Sequence, residues 1–147
     1  MVLLAVRWYL RYGLSYRDVE ELLAERCIDV DHVAIYRWVQ RFTPLVIDAA
    51  RPCRHSVGDR WFVDDLLPEV LHDTSQFANN RIECDHGRLK AKLRPMRGLR
   101  TDRTASVVIR GHALIQNLRR SHYELGVEAR HDRLRVAAAF DELNTTI

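Results

Sequence analysis

Apolar positions in residues 1–44 recur at helical spacing in three runs separated by polar breaks. Val2, Leu3, Val6, Tyr9 and Leu10 form the first stripe, with Arg7 and Arg11 on another face and Gly13 as the stop. Ser15 opens a second helix with Asp18 as its capping-box partner, and Val19, Leu22 and Leu23 supply the buried side. Cys27, Ile28 and Asp29 make a short break. Asp31 is a good N-cap for a third helix, and Val30 and Ile35 stand at the two positions of a hydrophobic staple. Ile35, Trp38, Val39 and Phe42 form its apolar face, with Tyr36 and Trp38 as aromatic core, and Pro44 is placed just past its end.

The pattern then weakens. Pro52, Ser56 and Gly58 predict a linker over 45–60. Trp61–Val63 reads as a short strand ending at Asp64 and Asp65, and Val70–Thr74 as a second extended piece. Asn79 or Asn80 caps a helix to about Arg94, with Ile82, Leu89 and Leu93 on one face; Pro95 and Gly98 break it. Thr101 caps a longer helix to about His122, with Val107, Val108, Ala113, Ile115 and Leu118 as core candidates. Ala129–Leu143 reads as a weakly amphipathic helix. The prediction is a mainly α chain.

Composition narrows the class. At 147 residues, 47% hydrophobic and 29% charged, the chain is sized and composed as one globular domain, which excludes wholesale disorder. No apolar run has the length of a membrane span. Met1–Leu10 contains Arg7, has no preceding basic region and is followed by no small-residue cleavage site, so a signal peptide is not expected and a cytoplasmic location is. Cys27, Cys53 and Cys84 are far apart and form no CxxC pair, so neither a disulfide framework nor a zinc site is expected.

The net charge of +3 is unevenly spread. Residues 61–80 carry 4 acids and no Lys or Arg, whereas residues 81–103 carry 8 basic residues against 3 acids. The second block has the charge density of a surface that meets phosphate. Of the 23 basic residues only Lys90 and Lys92 are lysine. Arginine suits bidentate contacts to phosphate and guanine; a GC-rich coding sequence produces the same bias, and composition alone does not separate the two.

Two short helices, a tight turn and an amphipathic third helix match a helix-turn-helix, in which the end of one helix enters the major groove. His32, Val33, Arg37, Gln40 and Arg41 lie on the outer side of the third helix, and all but Val33 are candidate DNA contacts, since Arg pairs with guanine and Gln with adenine. A helical hairpin with a solvated polar face is the competing reading.

These residues carry a resemblance. LLAVRWYLRYGLSYRDVEELLAER and VDHVAIYRWVQRF, within Leu3–Phe42, resemble the helix-turn-helix region of bacterial insertion-sequence transposases of the sixth family. WFVDD (Trp61–Asp65) resembles the start of their catalytic domain, and NNRIECDHGRLKAKLRPMRGLRTDRTA (Asn79–Ala105) its end. The resemblance implies an RNase H-like DDE domain in which two Asp and one Glu hold two magnesium ions for phosphodiester transfer. By match, Asp64 corresponds to the first Asp and Glu83 to the Glu, as catalytic residues and metal ligands. Arg88, Lys90, Lys92 and Arg94 on the Glu83 helix become candidate phosphate contacts. The implied partner is double-stranded DNA bearing the element's terminal inverted repeats. A second copy of the chain and association with the nucleoid are further expectations.

The match departs from the family pattern between Asp64 and Glu83, which are separated by only the 18 residues 65–82. The family places most of its sheet, a helix and its second Asp there, and Asp65, Glu69 and Asp73 stand in no comparable context. A parallel sheet needs neighbouring strands to satisfy its backbone. The expectation is therefore an internally deleted, N-terminally clipped transposase. Its helix-turn-helix region would span 1–44, its linker 45–60, its truncated DDE remnant with one or two short strands 61–125, and its tail 126–147. Three functions are open: a catalytically defective transposase remnant, a non-catalytic, repressor-like DNA-binding fragment, or a helical structural protein that binds nothing specific.

Overall fold

The computed structural model describes residues 1–55, 87, 89–90 and 101–146. Among them the regular structure is helical, in agreement with the mainly α prediction. Helix α1 spans Val2–Arg11, α2 Tyr16–Ala24, α3 His32–Ala50, α4 Asp102–Arg119 and α5 Arg135–Asn144; single 3-10 turns cover Arg51–Cys53 and Asp132–Leu134.

Helix α1 sits at the centre and packs against each of the other four. It buries Leu3, Ala5, Val6, Tyr9 and Leu10. Its second face is not left to solvent. Arg7 Nη1 donates to the Ala137 carbonyl at 3.3 Å and lies 3.8 Å from Asp141, while Arg11 Nη2 donates to the Arg133 carbonyl at 2.7 Å. Arg7 ties the start of the chain to the C-terminal helix, and Arg11 ties it to the 3-10 turn just before that helix.

The capping box predicted for α2 is present. Ser15 Oγ accepts from the Asp18 amide at 3.2 Å, and the Asp18 carboxylate accepts from the Ser15 amide at 2.7 Å. The helix closes in a Schellman motif. The Ile28 amide donates to the Leu23 carbonyl and the Cys27 amide to the Ala24 carbonyl, with Cys27 at φ 58°. Leu23 is fully buried and Ile28 packs on the same core, the apolar contact that accompanies this motif.

Helix α3 departs from its predicted boundary. It runs through Pro44 to Ala50 rather than ending before the proline. An interior proline removes a helical hydrogen bond at about 3 kcal/mol, but the apolar stripe continues past it. Ile35, Val39, Thr43, Val46 and Ala50 are all fully buried and step by three or four residues. Burial of Val46 and Ala50 against the core offsets the proline. The linker predicted from residue 45 is thus helical at its start. After the 3-10 turn, Arg54 pairs with Tyr123 in an antiparallel bridge, the His55 amide donates to the His122 carbonyl at 3.0 Å, and the Glu124 amide donates to the Cys53 carbonyl at 2.7 Å.

Helix α4 starts where predicted, with Thr101 Oγ1 accepting from the Thr104 amide at 3.3 Å. It ends at Arg119, a little before the predicted His122. The Ser121 amide donates to Leu118 O and the His122 amide to Asn117 O, with Ser121 at φ 62°. Val108, Ile115 and Leu118 are buried as predicted and Val107 is half-buried. Ala113, however, is exposed, and the inward positions beside it are Leu114 and Gly111. Gly111 is where α4 crosses the N-terminal helices. A Cβ there would stand 2.6 Å from Leu10 Cδ2 and 2.8 Å from Thr43 Cγ2. Absence of a side chain lets α4 approach α1 and α3 closely.

The tail predicted as helical from Ala129 forms α5 only from Arg135. Gly126, at φ 63°, turns the chain, and its amide donates to Glu142 Oε1 at 3.0 Å. Val136, Ala139, Phe140 and Leu143 then bury against the core. The predicted strand at Trp61–Val63, the extended piece at Val70–Thr74 and most of the helix from 79 to 94 lie outside the described residues. Gly87, Leu89 and Lys90 of that last segment are helical.

Candidate nucleic-acid interface

Helices α1, α2 and α3, with the turn after α2, are held together by three kinds of contact. Aromatic rings come first: Tyr9 of α1 stacks on Tyr16 of α2 with centroids 4.4 Å apart and planes 8° from parallel, and Tyr16 meets Tyr36 of α3 edge-on at 5.6 Å. Burial pushes the Tyr9 and Tyr16 phenols above the ordinary tyrosine range, and the adjacent Tyr16, hydrogen-bonded to it, raises Tyr9 further. A cation-π contact follows, with the Arg26 guanidinium 4.8 Å from the Trp8 ring centroid. The third is polar. Glu20 of α2 accepts from the His32 amide at 3.1 Å and contacts the His32 ring Nδ1 at 3.0 Å.

Asp31 Oδ1 accepts from the Ala34 amide at 2.7 Å. Two carboxylates, Asp31 and Glu20, therefore engage the free amides of the first turn of α3 and complement its dipole.

The predicted DNA contacts on α3 do not share one environment. Arg37 and Arg41 are exposed, Arg41 lying 5.8 Å from the Phe42 ring centroid. His32 is half-exposed, held by Glu20. Gln40 is half-buried, with its Nε2 inaccessible beside Tyr16. Val33 and Tyr36 stand out in their place, exposed at 41% and 38% although apolar in body. With Arg37 and Arg41 they occupy positions i, i+3, i+4 and i+8 of one helical stripe, beside the core stripe of Ile35, Val39 and Val46. Tyr36 is thus half out of the core that the sequence pattern predicts for it, whereas Val33 is exposed on the outer side where the pattern places it, though not among the predicted DNA contacts. The i, i+3 spacing of Val33 and Tyr36 around Arg37 is the signal that points to both. Glu20 carries no such signal, because its partner is set by the angle between α2 and α3.

Lys90 is exposed on its helical segment. Asp64, Glu83, Arg88, Lys92 and Arg94 lie outside the described residues, so no distance joins the two candidate catalytic carboxylates. Among the described residues no group of three or more His, Cys, Asp and Glu side chains could hold a metal ion. Among them also, no helix is long and apolar enough to cross a membrane.

Residues 52–122 match the DDE domain family of IS240-type transposases, a stretch just under half of the chain. The "transposase for insertion sequence-like element IS431mec" of Staphylococcus aureus strain Mu50 is 38% identical over 70 residues, covering 48% of this chain and 31% of that protein. The "transposase for insertion sequence element IS257 in transposon Tn4003" of Staphylococcus aureus is 37% identical over 70 residues, with the same coverage. The match thus spans about a third of the length of these relatives. No solved structure matches the chain. Over residues 52–122 the chain is similar to the DDE domain of insertion-sequence transposases. Such a family implies a divalent metal. The described part of the matched stretch is chiefly α4 together with Arg54, whose bridge partner Tyr123 lies just beyond it.

Proposed function

We propose that this chain is a DNA-binding, catalytically defective remnant of an insertion-sequence transposase. Helices α2 and α3 act as the helix-turn-helix, and α3 enters the major groove of double-stranded DNA at the terminal inverted repeats. Support comes chiefly from the stripe of Val33, Tyr36, Arg37 and Arg41 on α3, which leaves two guanidinium groups and two apolar side chains exposed on a helix otherwise held rigidly by α1 and α2. Arg37 and Arg41 are suited to guanine or phosphate and Val33 to a thymine methyl. The basic block from Arg81 to Arg103 adds sequence-independent attraction to phosphate.

Asp64 and Glu83 are what remains of the carboxylate set that holds magnesium in the family. With 18 residues between them, the chain has no second Asp in a comparable context. We read the DNA-binding region as extending beyond residue 44, since α3 continues to Ala50. Location in the cytoplasm on the nucleoid, and pairing with a second copy on two-fold DNA ends, follow from the same reading. A repressor-like fragment shares the DNA-binding half of this function and differs only in its origin and in having no residual chemistry.

Titration of a duplex carrying the inverted repeats with the purified chain tests the proposal. The double variant Arg37→Ala/Arg41→Ala should bind about ten- to a hundredfold more weakly for each arginine that reads a base, and with a shallower salt dependence for each that meets phosphate. Equal affinity of the double variant and the wild type would overturn the assignment of α3.

A further inference from the structure

We propose that Glu20 is a positioning residue for the DNA interface: it fixes the tautomer of His32 and so decides what that side chain can recognise in the major groove. This rests on the reading of α3 as the recognition helix.

His32 is the first residue of α3, the end from which such a helix contacts base edges. One carboxylate oxygen, Glu20 Oε2, serves both its backbone amide, at 3.1 Å, and its ring Nδ1, at 3.0 Å. A carboxylate only accepts, so the proton of a neutral imidazole must sit on Nδ1. Nε2 is then a lone-pair acceptor on the opposite edge of the ring. It has no protein partner among the described residues, and the side chain is 43% exposed.

The base edges answer to this polarity. In the major groove adenine offers its N6 amino group and cytosine its N4 amino group, whereas guanine and thymine present acceptors there. An Nε2 acceptor therefore selects adenine or cytosine at one position. The other tautomer, with Nε2–H as donor, would instead pair with an acceptor of guanine, thymine or adenine N7 and exclude cytosine.

Helix capping alone explains the bond to the His32 amide but not the second contact to the ring. Nearby Asp31 already caps the helix through Ala34, so Glu20 is not needed to terminate it.

Two measurements on the full chain test this. Ring-nitrogen NMR at about pH 8, where histidine is ordinarily neutral, should show the Nδ1–H form for His32 in the wild type and a shift toward Nε2–H in Glu20→Ala. Selection from a random-sequence duplex library should enrich adenine or cytosine, by roughly fivefold, at one position of the wild-type motif. Glu20→Ala should lose that preference and keep the rest of the motif. Glu20→Gln, whose amide oxygen can accept from the same two donors, should retain it. An Nε2–H tautomer in the wild type, or a motif unchanged in Glu20→Ala, overturns the proposal alone. A wild-type chain that enriches no duplex overturns the DNA reading and this proposal with it.

Discussion

Single residues set local conformation here in ways that substitution can read out. Cys27 occupies the left-handed position of the Schellman motif between α2 and α3, where glycine is the ordinary choice. A non-glycine residue there costs about 1–2 kcal/mol, against roughly 0.5–1 kcal/mol for the extra chain entropy that glycine gives up on folding. Relief of strain is the larger effect, so Cys27→Gly should raise stability by about 0.5–1 kcal/mol. A urea midpoint that falls would contradict it. Tyr9 gives a pH signature. Its phenol is raised by burial in the folded state, so the stability this provides is complete below the ordinary tyrosine pKa and is lost as pH rises above it. With only two lysines in the chain to titrate nearby, unfolding free energy should fall above about pH 10, by up to about 1.4 kcal/mol per pH unit from Tyr9. Tyr9→Phe should flatten that limb when denaturant melts are compared from pH 8 to 11, about the range that brackets phenol ionisation; a parallel limb would place its origin elsewhere.

Elements are legible in the sequence where capping and periodicity agree, and less so where packing overrides a local rule. Ser15, Asp31 and Thr101 each cap the helix their spacing predicts. Pro44 misleads because a proline normally bars a helix interior. The continuation is nonetheless written in Val46 and Ala50, which extend the stripe of Ile35 and Val39. Ala113 and Leu114 exchange roles because adjacent helical positions lie about 100° apart, and only the crossing at Gly111 fixes which face turns inward. That crossing is testable. At an exposed helical site, replacing glycine with alanine gains about 1 kcal/mol. At Gly111 the new Cβ must displace Leu10, itself 1% exposed, and the branched Thr43, at an overpacking cost of about 1–3 kcal/mol. Gly111→Ala should therefore lower stability despite better propensity, and Gly111→Val more so. Thermal melts that rank either variant above the wild type would show that α4 does not pack there.

At the scale of the whole molecule, the chain joins its two ends through one core: Arg7 and Arg11 of α1 hold the C-terminal segment, and α4 from the DDE match lies across α1 and α3. Sequence alone suggests two separate regions, because contacts over such separations leave no local pattern. The charged residues of the catalytic motif are legible as a resemblance, and their mutual geometry is not. Phosphoryl transfer of this class needs carboxylates from separate elements held against two ions about 4 Å apart, in line with attacking and leaving oxygens. A misplacement of about 1 Å can cost about a hundredfold. On the proposed reading, Asp64 and Glu83 would have to meet that demand across 18 intervening residues, with no second Asp in a comparable context. Among the described residues, α1, α3, α4 and α5 bury a common core. On the proposed reading, loss of the chemistry would leave this described core and the α3 surface in place. Purified protein should bind duplex ends yet give no strand transfer with magnesium or manganese, and Asp64→Ala/Glu83→Ala should leave both its melting temperature and its DNA affinity unchanged. Strand transfer that appears with the wild type and vanishes in the double variant would show that two carboxylates suffice for a working site.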